Sequence, residues 1–126
     1  KHCFGNAIAL ALMRPELCYV EGYAVVPPPL APLVFLHAWN TDADGNLIDT
    51  TWLNRGVAYL GVVFSVERAD HCTWHGNQNI LDDHERGWPL LRERWTGETQ
   101  QTWEPSPLLV KMRKLLARKG AVPCPK

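Results

Sequence analysis

Four prolines, Pro27, Pro28, Pro29 and Pro32, interrupt the longest apolar stretch of the sequence, Tyr23 to Leu36, and decide what that stretch can form. A proline fixes φ and lacks an amide hydrogen, so no continuous helix runs through them. The stretch also falls short of the about 18 residues that a membrane span needs, and no membrane partner is expected. What remains is a pair of extended runs joined by a stiff connection. Leu17 to Val26 and Leu33 to Asn40 are rich in β-branched and aromatic residues and bounded by turn formers, as are Asn46 to Trp52 and Val57 to Phe64, so four strands are predicted. Ahead of them, Cys3 to Met13 reads as a short apolar helix that Arg14-Pro15 stops, because the residue before a proline avoids the helical region.

Beyond Val66 polar clusters and four tryptophans (Trp74, Trp88, Trp95, Trp103) leave no sustained period. Short helices are predicted over Glu67 to Trp74 and Pro89 to Trp95, with Gly76, Gly87 and Gly97 as breaks. Ser106-Pro107 opens a last amphipathic helix, with Leu108, Val110 or Met112, Leu115 and Leu116 facing inward and Gly120 ending it. A chain of 126 residues is long enough to bury a core. The expected fold is one α+β domain: in residues 1–65 an N-terminal helix packed on an antiparallel sheet of about four strands, in residues 66–126 a mostly helical cover.

Thirteen basic and thirteen acidic side chains balance overall but not along the chain. Residues 1–65 carry three basic and five acidic, residues 66–105 four and eight, and residues 106–126 six and none. Lys111, Arg113, Lys114, Arg118 and Lys119 lie where the negative end of the last helix's dipole collects, which is cause enough for them. With no recognised binding motif beside them, they do not point to nucleic acid.

Cys3, Cys18, Cys72 and Cys124 form no CxxC pair and no regular spacing, which argues against both a disulfide framework and a four-cysteine zinc ribbon. Free thiols of a reducing, cytoplasmic compartment are expected, with Cys18 a small buried hydrophobe in its strand. The chain opens Lys-His-Cys without an initiator Met or a visible signal peptide, so further sequence ahead of Lys1 is expected.

Three reactive side chains interrupt the apolar half: Cys3 opens a helix, His37 follows Leu33-Val34-Phe35-Leu36, and Asp49 follows Leu47-Ile48. A thiol at a helix start meets unpaired N–H groups and the positive end of the dipole, which favour the thiolate. An imidazole beside it can take and return a proton, and a carboxylate on the far ring nitrogen fixes the tautomer. Whether His37 and Asp49 meet depends on the turn between their strands. A two-residue Asp44-Gly45 loop makes paired numbers sum to 89 and turns the two side chains to opposite faces; a three-residue Ala43-Asp44-Gly45 loop with a left-handed glycine makes the sum 88 and puts them on one face as diagonal neighbours. The second is expected.

Cys at a helix start, then His37-Ala38-Trp39 on a strand, a short turn, and Asp49-Thr50-Thr51-Trp52 on the next resembles the core of the transglutaminase-like, papain-related thiol enzymes, whose motif reads H-x-W and then D-P-T. Thr50 stands where the family usually has proline. With Glu21-Gly22-Tyr23 and Tyr59-Leu60-Gly61-Val62, the layout is similar to small bacterial and phage proteins of that type, over roughly residues 1–64. The resemblance implies a cysteine-protease-like core and a cofactor-free hydrolase or acyltransferase acting on an amide, peptide or related acyl substrate. Cys3 would be the nucleophile, His37 the base and Asp49 its orienting partner.

Around these, Asn6 is a candidate oxyanion donor one turn along the helix. Glu21, ionisable in an apolar strand, either orients the site, binds substrate or faces water, and Trp39 and Trp52 are expected to pack around the His-Asp pair. Two other readings stand beside catalysis. One is a non-catalytic binding protein on the same scaffold, phage-encoded and engaging a host protein. The other is a zinc site built from His71, Cys72, His75 and His84, since His71 and His75 are spaced to share a helix face.

Overall fold

A computed structural model describes residues 2–27, 32–52, 56–92, 103–118 and 124. Helix α1 (Cys3–Met13) is followed by strands β1 (Cys18–Val26), β2 (Leu33–Thr41), β3 (Leu47–Ile48) and β4 (Ala58–Phe64), then by helices α2 (Val66–Trp74), α3 (Pro89–Arg92) and α4 (Pro107–Ala117), with a 3-10 turn at His84–Arg86. The molecule is α+β, with α1 laid on a four-stranded antiparallel sheet of order β3-β2-β1-β4. α1 ends where the sequence predicts: Arg14, held extended by Pro15, leaves the helical region at φ −125°, ψ 78°.

One face of the sheet meets α1. Ala7, Ile8, Ala11 and Leu12 of the helix pack with Tyr19, Ala38 and Phe64 of the strands, and Ala69, Ile80, Leu81 and Leu109 close this core from the helical half. Glu21, also on that face and wholly buried, accepts the N–H groups of Ile80 and Leu81 at 2.8–2.9 Å and the Tyr19 hydroxyl at 2.6 Å. It therefore faces neither water nor substrate. It holds the loop after α2 against β1. Asp70 does the equivalent for α4, taking the N–H and hydroxyl of Ser106 at 2.7 Å each, while the Ser106 hydroxyl also accepts the Leu109 N–H and caps the helix.

The inward face of α4 differs from expectation. Of the predicted stripe, Met112 and Leu116 are half-buried, but Leu108, Val110 and Leu115 are exposed, and the buried leucine is Leu109. Gly97 and Gly120, and the predicted helix beyond Arg92, lie outside the described residues.

Two further expectations are corrected. Cys18 and Cys124 form a disulfide, so neither is a free thiol, while Cys3 and Cys72 are free. The Cys124 N–H also donates to the Pro15 carbonyl. A separation of 106 residues gives no spacing signal for such a pair, and the reducing-compartment reading loses its basis, since bonds of this kind persist where conditions are oxidising. The third predicted strand is also much shorter than Asn46 to Trp52. It stops at Ile48 because the Asp49 carboxylate turns back to accept the N–H groups of Thr51 and Trp52 and bends the chain off the sheet.

Candidate active site

The register of the β2–β3 hairpin is the first thing that builds the site. Asn40 pairs with Ile48 and Thr41 with Leu47, so paired numbers sum to 88, as a three-residue loop requires. Gly45 takes the left-handed conformation at φ +81°, and the Asp42 carboxylate accepts the N–H groups of Asp44 and Asn46 and the Asn46 amide. Formal pairing ends at Ile48, yet the parity it sets carries over to the next residue. Asp49 Oδ2 lies 2.7 Å from His37 Nε2, and both side chains are sealed, at 0% and 2% exposure.

His37 lies on the sheet face turned away from α1, next to Gly22 of β1, and Gly22 in turn pairs with Gly61 of β4. This row of small residues makes a trough in which rings from β2, β4 and the turn after β3 meet. Trp52 stacks on the His37 ring with centroids 4.0 Å apart and planes 15° apart, Trp39 lies parallel at 6.3 Å, and Tyr59 stands across from both. A Cβ on Gly61 would stand 2.5 Å from the Trp39 ring, so only glycine lets that ring lie across β4.

Cys3 comes to this pair from the N-terminus of α1. Its thiol lies close enough to the His37 ring and to the backbone N–H of Ala38 for both to favour the thiolate. With Nε2 on Asp49, the ring nitrogen left for the sulfur is Nδ1. Asn6, also on α1, donates to Thr51 Oγ1 at 3.2 Å, so it clamps the helix carrying the thiol to the turn carrying the carboxylate. No side chain among the described residues caps the start of α1, whereas α2 and α4 are capped by Ser65 and Ser106.

The three groups bias one another's protonation. Burial pushes the Cys3 thiol up, but the hydrogen bonds from His37 and from the Ala38 N–H outweigh it, and the thiol sits below its ordinary value. Burial likewise opposes the imidazolium, yet the Cys3 and Asp49 hydrogen bonds and charges raise His37 above its ordinary value. Asp49 is held below the usual carboxylate range: the Thr51 N–H, His37 and the Trp52 N–H overcome desolvation. Each shift favours the charged form of its group, and the three groups titrate jointly.

The contact of Tyr59 with this cluster was not legible in the sequence. Its hydroxyl donates to Asp49 Oδ2 at 3.1 Å and accepts the Gly56 N–H at 2.9 Å. The signal for it, a phenol two residues before Gly61 on the same face, becomes readable only once β4 is known to lie beside β1. The other histidines do not gather. The His71 and His75 rings lie 4.2 Å apart, but the Cys72 thiol donates to the Asn79 carbonyl, and no group of three or more metal-ligating side chains occurs among the described residues. No helix there is long and apolar enough to cross a membrane.

No family model, curated protein or solved structure matches this chain.

Proposed function

We propose that the chain is a cysteine-dependent hydrolase or acyltransferase acting on an amide, peptide or related acyl substrate. One observation carries the reading: a single buried imidazole is hydrogen-bonded to a carboxylate on one side and neighbours, on the other, a thiol at a helix N-terminus. A structural histidine needs neither a helix-start thiol beside it nor a tautomer-fixing carboxylate. The order of the three groups along the chain is that of the transglutaminase-like, papain-related thiol enzymes.

The chemistry follows from the geometry. The Cys3 thiolate adds to the substrate carbonyl carbon, forming a carbon–sulfur bond and placing negative charge on the oxygen. The uncapped N–H groups at the start of α1 are the donors for that charge. The His37 imidazolium gives its proton to the leaving amine or alcohol as the bond to the carbonyl breaks, which leaves a thioester. Neutral His37 then takes a proton from water or an acceptor amine as it attacks. The acyl product departs, and the thiolate and imidazolium are restored. Asp49 stays ionised throughout and keeps Nδ1 turned to the sulfur.

Incubation with p-nitrophenyl acetate tests this. A stoichiometric burst of p-nitrophenolate is expected, with an acetyl group on Cys3 by mass spectrometry, and both disappear in Cys3→Ala and His37→Ala. A wild-type protein whose Cys3 stays unacylated refutes the catalytic reading and leaves a binding protein on this scaffold.

A further inference from the structure

We infer that Tyr59 is a positioning residue of the same site, holding the Asp49 carboxylate ionised and aimed at His37 through its hydroxyl. The inference rests on the catalytic reading of Cys3, His37 and Asp49. It starts from which oxygen is used. Asp49 Oδ1 is occupied by the Thr51 and Trp52 N–H groups, and Oδ2 is shared by His37 Nε2 and the Tyr59 hydroxyl. Two points at Oδ1 lie on one stretch of chain and fix the carboxylate only relative to its own turn. Besides His37 on β2, the Tyr59 hydroxyl ties Oδ2 to a second strand, β4.

Tyr59 is itself set from two sides. Its oxygen accepts the Gly56 N–H at 2.9 Å, which leaves its single proton for Asp49, and its ring meets Trp39 edge-on with centroids 5.2 Å apart. β3 offers only two paired residues to anchor the Asp49 turn. The phenol thus supplies a support from the far side of the sheet that the short strand cannot.

The role predicts an effect on titration that a space-filling tyrosine would not have. Removing the hydroxyl deprives the carboxylate of a donor, so Asp49 takes up a proton at higher pH and holds the ring less firmly. The imidazolium is then less favoured, and the sulfur ionises later. Tyr59→Phe keeps the ring and its packing.

The experiment is the rate of iodoacetamide alkylation at Cys3 across pH, read by peptide mass spectrometry in wild type, Tyr59→Phe and His37→Ala, with a thermal melt of each. In Tyr59→Phe the alkylation midpoint should move upward and the rate on the acid side should fall about three- to tenfold, with the melt little changed. An unmoved midpoint overturns the positioning role, as does a downward move, which would mean that the hydroxyl only competes with His37 for Oδ2. If His37→Ala shifts the midpoint and Tyr59→Phe does not, Tyr59 alone loses its role. If neither shifts it, the ion-pair reading of the site falls and takes this inference with it.

Discussion

The Nε2 atom of His37 and the Oδ2 atom of Asp49 lie 2.7 Å apart on side chains twelve residues apart in sequence and closed to solvent. Removing either partner strands the other. Asp49→Ala also leaves the Thr51 and Trp52 N–H groups and the Tyr59 hydroxyl without their acceptor, so a loss of about 3–5 kcal/mol is expected in urea unfolding.

Acid titration separates the charge from the shape. The Asp49 carboxyl is lower in the folded chain than its ordinary value, so its contribution is present above that value and is lost as pH falls through the folded one. Asp49→Asn should be less stable than wild type at neutral pH and lose less on acidification, which urea midpoints measured across pH will show.

The two free thiols should part company under labelling. Cys72, pushed up to about 11 by burial first and by the charge of Glu21 next, and bonded to the Asn79 carbonyl, should react slowly. Limited iodoacetamide at pH 6 should modify Cys3 first. Equal labelling of the two would contradict the ion pair.

Glu21 is the test of the interior. Glu21→Ala leaves three donors without an acceptor and should cost at least about 3 kcal/mol, together with lost hydrogen-exchange protection at Ile80 and Leu81. Glu21→Gln should be milder, because its amide oxygen can keep both backbone donors while the burden of a buried charge is removed.

The disulfide closes a large loop. Unreduced protein should show two titratable thiols, Cys3 and Cys72, and reduction should lower stability by about 3–5 kcal/mol. The Cys18→Ser, Cys124→Ser double variant should match the reduced protein in a thermal melt.

Much of this was readable beforehand, and the reasons differ from residue to residue. α1 and the strands β1, β2 and β4 follow from local pattern and from Pro15, and they fall within a residue of the predicted bounds. Turn chemistry narrowed the hairpin register to two, because Asp44-Gly45 suits a two-residue loop as well as the three-residue loop found, in which Gly45 takes the left-handed bend. The extent of β3 was not readable, since a side chain folding back on its own backbone competes with pairing without changing the alternation of residues. The Cys18–Cys124 bond, the place of Glu21 and the hydroxyl of Tyr59 depend on which distant segments become neighbours. No local period encodes the placement of β4 beside β1.

The five-residue bend from Asp42 to Asn46 holds none of the reacting groups, yet it sets the phase of everything after it. One residue inserted there would rotate the following segment by half a pleat and send the carboxylate to the far side of the sheet. Loop length at this tip is therefore a determinant of chemistry in its own right, and a variant could lose its reactive centre with every reactive side chain intact.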